Sequence, residues 1–512
     1  MSADGAWIGL DLGTSGLKGL ALTAAGTVAA RASAGYPTAH PAAGACEQDP
    51  GDWLRAVQQV TSQLAAAVPA RRWLGIGLSG MIPTLVTVGR RGEPTGPAIT
   101  WQDSRADARG DELREGCGAD ALYRLTGQWV DGRYLLPMYA ELAAADPGRA
   151  AATATIASAK DYLFGWLTGE LATDPSTASG FGCYELETGR WNDAVLAAAA
   201  DLAAPPAAPP ARGAAGGPAL PPVRPSTESR PLRPDLAARL GCGPIPVGLG
   251  AADSVLGALG LGVRDPGQVA YVAGTSNVIM GVSGELVLDP RHRFLVTPLA
   301  EPGRWGLEMD LLATGSAVTW LAGLLGGDLD AAGLVALAAG LDPAQAPVVL
   351  PYLSPGEQGA LWDPRLRGAV VGLHLGHGRA HLARGLVNGI VLESRRCLAV
   401  LDETGGFGRT LAVAGGSAAD PAFRADLADA SRRVVSMPRD DATDYSARGA
   451  ALLAARASEG EWPPDAFPSS GALAEPDDGR AKAWDDLWTT FESARQAVAR
   501  HDHATPDPPA PR

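Results

Sequence analysis

Apolar residues in this chain fall into short runs that stop at glycine-rich polar turns. Ala6 to Leu12 is one run and Gly19 to Leu22 another, and between them stands Asp11-Leu12-Gly13-Thr14-Ser15-Gly16-Leu17-Lys18. The pattern predicts strand, tight glycine turn and strand, with the polar loop exposed at the hairpin end. The period then changes. Asp49-Pro50 reads as an N-cap followed by proline in the first helical turn, with Asp52 at the capping-box position. Trp53, Val57, Val60 and Leu64 recur at three- or four-residue steps and predict a helix that buries that face. Trp73 to Leu78 returns to strand character and leads to Ser79-Gly80-Met81. Strands covered by helices predict an α/β architecture with its loops at one edge.

The later chain repeats these signals. Pro246 to Leu249 is strand-like and is followed by Gly250-Ala251-Ala252-Asp253-Ser254 and a helix of small residues. Val269 to Val272 leads into Ala273-Gly274-Thr275-Ser276-Asn277, which echoes the first glycine and hydroxyl loop and hints at two related halves. Leu382, Leu386 and Ile390 give the segment His381 to Glu393 a helical period. Leu411 to Ala414 is a strand that ends in Gly415-Gly416-Ser417-Ala418-Ala419-Asp420, where another helix starts. Leu311 to Leu325 is nearly apolar but carries Thr314, Ser316 and Thr319; it is short for a membrane span and is expected as a buried helix. Ala203 to Pro225 is dominated by Ala, Pro and Gly and is expected to be largely a surface loop or disordered insertion. From about Asp502 the proline-rich end is expected to be mobile.

At 512 residues and 46% hydrophobic, the chain has material for two cores, so two domains are the default. A net charge of −14 opposes non-specific nucleic-acid binding, although an anionic nucleotide still binds where backbone N–H groups and a few cations converge. Lysine is scarce, at Lys18, Lys160 and Lys482 only. Cys46, Cys117, Cys183, Cys242 and Cys397 are scattered, without a CxxC pair or a His cluster, as in a protein of a reducing compartment. The N-terminus lacks the basic region of a signal peptide, so a cytoplasmic location is expected, with no membrane and no nucleic-acid partner.

Several loops carry candidate chemistry. A phosphoryl-transfer site must neutralise a triphosphate, hold a metal and align an acceptor hydroxyl. Around Asp11, Gly13 and Gly16 let backbone approach oxygens, Thr14 and Ser15 donate hydrogen bonds, Lys18 adds charge, and Asp11 can bind magnesium through water. The same loop also fits a plain hairpin whose Asp and Thr satisfy turn N–H groups. Gly274 and Thr275 could clasp distal phosphates, and Gly415, Gly416 and Ser417 could pass beneath an adenine or ribose; each turn also fits a structural role. Asp253 has the setting of a general base for a hydroxyl and that of a helix N-cap, and the local sequence alone favours the cap. Trp101-Gln102-Asp103 pairs an aromatic plate with a carboxylate, which suits a sugar; a buried Trp beside surface ion pairs is the alternative. His374, His377 and His381 fit turn, capping or packing roles better than a metal site.

Together these residues resemble the FGGY carbohydrate kinases over nearly the whole chain, from Ile8 to about Ala455. The marks are Asp11-Leu12-Gly13-Thr14-Ser15, Glu47-Gln48-Asp49-Pro50, Trp101-Gln102-Asp103, Lys160-Asp161-Tyr162-Leu163, Leu167-Thr168-Gly169-Glu170, Thr173-Asp174, Gly250-Ala251-Ala252-Asp253, Gly274-Thr275-Ser276 and Gly415-Gly416. The resemblance implies a two-domain actin-like, ribonuclease-H-like ATPase fold with an interdomain cleft. It implies residues 1–245 as a sugar-binding and phosphate-loop domain with the Ala/Pro-rich insertion near 203–225, residues 246–490 as a nucleotide-binding domain, and 491–512 as a partly flexible tail. It implies ATP and Mg2+ as cofactors, a small sugar as substrate, and leaves a homodimer open.

By the same likeness, Asp253 matches the catalytic base, and Asp11, Thr14 and Lys18, with Gly13 and Ser15, the first phosphate and magnesium loop. Gly274 and Thr275 match the second phosphate loop, and Gly415 and Gly416, with Ser417 and Asp420, the adenosine turn. Met81, Trp101 and Asp103, with Asp253, match the sugar site, and Asp11 and Asp253 the metal site. Pro351 to Glu357 and Asp363-Pro364 look most like xylulokinases, which implies phosphorylation of a ketopentose such as D-xylulose. Three positions depart from that pattern. Ile82-Pro83 follows Met81 where a His is usual, Gln358 replaces an Arg, and Cys46 a Trp. Another ketose or a polyol, or a degenerate ATP- and sugar-binding regulator, therefore stands as the alternative.

Overall fold

The first apolar run is strand β1 (Ala6–Leu12), buried along its whole length. It pairs antiparallel with β2 (Gly16–Thr23), which pairs antiparallel with β3 (Val28–Gly35). Helix α1 (Pro50–Ala67) begins where the sequence predicts: the Asp49 carboxylate accepts from the Gly51 N–H at 2.8 Å, and Trp53, Val57, Val60 and Leu64 are buried. Asp52 engages Arg55 rather than closing a capping box. Strand β4 (Trp73–Gly80) lies parallel to β1. After helix α2 (Ala159–Thr168), strands β5 (Ser229–Pro231), β6 (Pro246–Gly248) and β7 (Ala251–Ala252) complete a mixed sheet in the order β5-β6-β4-β1-β2-β3, with β7 also on β4. Helix α3 (Asp253–Gly260) leaves β7 directly. A separate four-stranded sheet runs Glu47–Gln48, Ala98–Thr100, Thr84–Val88, Thr155–Ser158.

The computed structural model describes residues 5–203, 217–326, 328–354, 359–363, 365–439, 444–468 and 470–504. Most of the Ala/Pro-rich insertion (204–216), Pro355–Gln358, Pro364 and the last residues from 505 lie outside them. The described end of the insertion is held in place: Ala219 bridges to Thr155, Val223 bridges to Thr173, and the Trp191 indole donates to the Pro221 carbonyl at 3.0 Å.

A second sheet is built from β8 (Val269–Ala273), β9 (Asn277–Ser283), β10 (Trp305–Leu311), β11 (Thr410–Gly415) and β12 (Val434–Pro438). Its helices are α4 (Gly315–Leu325), α5 (Arg379–Thr404) and α6 (Pro421–Ser431). The chain then forms α7 (Tyr445–Glu459), β13 (Ser470–Ala474) and α8 (Asp478–Ala504), so the expected tail is helical as far as Ala504. Within a seven-stranded sheet β10, β9, β8, β11, β12 and β13 are neighbours in that order, with β8 parallel to β11 and antiparallel to β9. The expected buried helix at Leu311–Leu325 is only half right. Leu311 closes β10, and α4 buries Ala317, Val318, Leu321 and Ala322 while Trp320 and Leu324 are 54% and 66% exposed.

The chain divides into two units, one of Met1–Gly260, Val296–Trp305 and Asp444–Phe467, the other of Leu261–Leu295, Gly306–Thr443 and Pro468–Arg512. A single break at 245/246 differs from this partition for a packing reason. Helix α7 lies so close to the first sheet that a Cβ at Gly9 would stand 1.8 Å from the Ala447 carbonyl, and one at Gly77 1.9 Å from that of Ala450. Only glycine admits a helix at that distance. Around this contact Trp7, Leu20 and Leu22 form a core with Ala447, Ala451 and Leu452. Helix α3 packs against α7 in the same way, Gly449 meeting the Leu256 carbonyl and Gly260 that of Tyr445. Among the described residues no helix is long and apolar enough to cross a membrane.

Candidate active site

In the first unit, register alone assembles one end of the sheet. Asp11 on β1 stands opposite Ser79 on β4, and Ser79 opposite Ala251 on β7; the next row is Leu12, Gly80, Ala252. Asp11 and Ala251 thus lie two strand spacings apart, about 10 Å. Asp253 follows Ala252 at the head of α3, beside the chain leaving β4 through Met81, whose N–H donates to the Leu12 carbonyl at 2.9 Å.

Asp11 is buried, and burial pushes its carboxyl above the ordinary range; a 2.7 Å hydrogen bond from the Ser79 hydroxyl and the nearby Lys18 charge work against this. Lys18 pairs with Asp444 at 3.8 Å, and Arg31 shares that carboxylate at 3.5 Å. The loop after Asp11 closes by a 3.1 Å bond from the Gly13 N–H to the Gly16 carbonyl, and the Tyr36 hydroxyl donates to the Gly13 carbonyl. Ser15 accepts at its carbonyl from the Tyr36 N–H at 3.4 Å.

Thr14 joins two of the predicted groups, since the Trp101 indole N–H donates to its hydroxyl at 3.1 Å. Its carbonyl accepts from the Gln48 amide at 2.7 Å, and Gln48 also bonds the Thr38 hydroxyl and the Trp53 indole. Asp103 is buried and its oxygens are taken up internally: the Cys46 N–H at 2.8 Å and the Arg105 backbone and guanidinium, which also holds Glu47 at 2.6 Å. Met81 belongs to the core. Asp253 is partly exposed; its Oδ1 accepts from the Ser254 N–H at 2.9 Å, and its carbonyl accepts from the Ser446 hydroxyl at 2.9 Å. It therefore combines the N-terminal helix position with a position at the sheet edge, and the two roles read from its sequence setting are compatible.

The second unit builds a neutral counterpart. The Gly274–Ser276 turn between β8 and β9 closes by a 3.0 Å bond from the Gly274 N–H to the Ser276 carbonyl. The Thr275 carbonyl accepts from the Ser316 N–H at 3.0 Å, and Thr314 donates to Asn277 at 2.8 Å, which in turn donates to the Tyr271 hydroxyl at 2.5 Å. At the end of parallel β11, Gly415 has φ +101° and an added Cβ would meet the Ala273 carbonyl at 2.0 Å, so the fold itself demands that glycine. Gly416 differs, for nothing lies within 4 Å of a Cβ there, and its backbone is open to a close ligand. Ser417 starts a short turn, and the Asp420 carboxylate caps α6 through the N–H groups of Ala422 and Phe423.

The supports are faintly marked in the sequence. Gln48 and Ser79 lie beside the motif residues with no signal of their own, Asn277 reads as the end of the second loop, Thr314 and Ser316 read as polar interruptions of an apolar stretch, and Asp444 carries no signal at all. Among the described residues no three His, Cys, Asp or Glu side chains could cage a metal. The donor set nonetheless fits Mg2+, which keeps much of its water and binds through one or two carboxylates and substrate phosphates, and Asp11 is a buried carboxylate with an acidic neighbour in Asp444.

Residues 6–260 match the N-terminal domain of the FGGY family of carbohydrate kinases, and residues 269–458 match its C-terminal domain. The chain belongs to that family. This FGGY kinase is 31% identical to a xylulose kinase of Klebsiella pneumoniae over 385 residues, 75% of this chain and 76% of that one. It is 24% identical to a gluconokinase of Bacillus subtilis over 87% of this chain and 86% of the relative. The crystal structure of a "xyloylose kinase" from Brucella ovis superposes with a TM-score of 0.86 at 26% identity, covering 97% of this chain and 99% of that one. The FGGY kinase therefore has the two-domain actin-like ATPase fold, and its family activity is phosphorylation of a sugar with ATP.

Proposed function

We propose that this kinase transfers the γ-phosphate of Mg–ATP in line to a hydroxyl of a ketopentose of the D-xylulose type. Asp253 accepts the hydroxyl proton as the oxygen attacks phosphorus, the bond to the bridging oxygen breaks, and ADP leaves. Asp11, Gly13, Thr14, Ser15 and Lys18 form the first phosphate loop, and Gly274 and Thr275 the second. Gly415, Gly416 and Ser417 line the adenosine, with Asp420 holding the helix behind them. Trp101 and Asp103, with Met81 beneath, shape the sugar site. Asp11 and Asp253 would hold Mg2+, which when bound neutralises phosphate charge. The observation that carries this proposal is the register that sets Asp11 and the Ala251–Ala252 pair just before Asp253 at one sheet end, with Trp101 hydrogen-bonded to the Thr14 loop.

A second acceptor class, another ketose, a polyol or an aldonate, is favoured by Ile82-Pro83 standing where a xylulokinase has His, and by the gluconokinase relative. ADP release measured over pentuloses, hexuloses, polyols and aldonates, with product identification, separates the two. D-xylulose is expected to give the highest kcat/KM. A higher value on a polyol or aldonate replaces the substrate and keeps the kinase, whereas sugar-independent ADP release would remove both.

A further inference from the structure

Beneath the row that ends at Ala252, just before Asp253, lies a buried ionic cluster. Lys160, at the start of α2, has no exposed surface and sits under Gly80, where an added Cβ would come within 2.9 Å of the lysine Cβ. Its ammonium donates to Asp161 Oδ1 at 3.0 Å and to the Leu249 carbonyl at 3.1 Å, and pairs with Asp174 Oδ1 at 3.1 Å. Three protons thus meet three acceptors. Burial pulls the Lys160 ammonium toward neutrality, but the two equally buried carboxylates outweigh it and hold the group charged.

Asp174 continues the network. Its Oδ2 accepts from the Ser176 N–H at 3.0 Å, the Ser176 hydroxyl at 2.5 Å and the Ser226 hydroxyl at 3.2 Å, and its Oδ1 accepts from Thr177 at 2.6 Å. The Ser176 oxygen, its proton committed to Asp174, accepts from the Ala252 N–H at 2.9 Å. The turn before Asp253 is therefore held at both ends, Leu249 by Lys160 and Ala252 by Ser176. The Gly250 N–H is also tied, to the Ser226 carbonyl at 3.1 Å. Burying such a set of charges does little for net stability, and an apolar replacement of equal volume often serves as well. What this cluster does that an apolar core cannot is fix the place of two particular backbone groups.

We propose that Lys160, Asp174 and Ser176 are positioning residues for Asp253, an ionic clamp that sets where the carboxylate stands at the sheet end. The clamp rests on the assignment of Asp253 as base. A misplacement of about 1 Å at a reacting group costs on the order of 100-fold in rate, so a loosened Ala252 should be felt in the transfer step and not in nucleotide affinity.

The test is a double-mutant cycle on the full chain, with single-turnover transfer from γ-labelled ATP to the preferred sugar. Ser176→Ala is expected to lower kcat by about 10- to 100-fold, leave the KM for ATP unchanged, and add no further loss on an Asp253→Asn background. Wild-type kcat in Ser176→Ala overturns the clamp alone. So does a loss repeated in full on the Asp253→Asn background, or a KM for ATP that moves as far as kcat. Near-normal turnover in Asp253→Asn overturns the base assignment and the clamp with it. Should Ser176→Ala fail to fold, Asp174→Asn keeps the side-chain shape and must show the same non-additivity.

Discussion

The two glycine-loop hairpins share one plan and carry different chemistry. In the first unit β1 turns through Gly13–Ser15 into β2 and lies parallel to β4; in the second β8 turns through Gly274–Ser276 into β9 and lies parallel to β11. The residue two before the loop glycine is Asp11 in one and Val272 in the other. Its cross-strand partners are Lys18 and Ser79 in the first unit, and Val278 and Ala414 in the second. The charged row needs compensation, supplied by Ser79, Lys18 and Asp444. The neutral row needs only shape, supplied by the Tyr271–Asn277–Thr314 chain of dipoles and the bonds from Thr314 and Ser316 to the Thr275 carbonyl. One backbone design therefore serves as a charged edge and as a neutral, internally hydrogen-bonded edge, according to a few side chains.

The comparison breaks first at Asp11. If charge chemistry belongs to the first unit alone, Asp11→Ala should lower sugar phosphorylation by about 100- to 1,000-fold, the scale of losing a key electrostatic group, and flatten its response to magnesium. Unchanged turnover across a magnesium titration would put the two edges on the same footing. Next comes the neutral edge. A Cβ at Gly315 would stand 2.2 Å from the Gly274 carbonyl, so Gly315→Ala should displace the second loop without touching a charge. Its expected signature is a roughly tenfold higher KM for ATP, with a stability loss of about 1–3 kcal/mol from overpacking. A loss confined to kcat would argue that this loop does more than shape a phosphate site.

The smallest effect concerns stability only. Hydrogen bonds from Arg495 and Arg396 hold the Glu492 carboxyl near 2 despite its partial burial, below its ordinary 4.5. A depressed carboxylate stabilises the fold above its unfolded value, and that contribution is lost as pH falls from about 4.5 through about 2. Solvent screening leaves about 1–2 kcal/mol of the contribution. Glu492→Gln should lower the thermal midpoint at neutral pH, reduce its acid dependence and spare kcat. A variant whose midpoint follows wild type from pH 7 to pH 3 would show that these arginine pairs do not clamp α8.

Much of the local structure was legible because its signals are local. The β1 boundaries, the Asp49 cap, the buried face of α1 and the turns at Gly13, Gly274 and Gly415 all follow from periods and turn residues a few positions apart. The site was legible as a set of loops but not as an arrangement. Asp103 and Asp420 stand in sequence as candidate ligands of sugar and nucleotide, and no local signal announces the internal bonds they also make, to Arg105 and Cys46 and to the start of α6. A carboxylate looks the same in sequence whether it faces a ligand or caps a turn.

The sequence by itself determined the element types, the glycine loops and the family pattern that links them, because backbone preference and short-range periodicity are encoded within a few residues. Tertiary structure decided what those loops are built against. Nothing near Gly9 or Gly77 in sequence announces that a helix some 370–440 residues away rests on them, and nothing near Lys160 announces that its ammonium will hold Leu249. Close approach and charge pairing depend on distance through space, and that distance exists only once the sheet and its covering helices have come together.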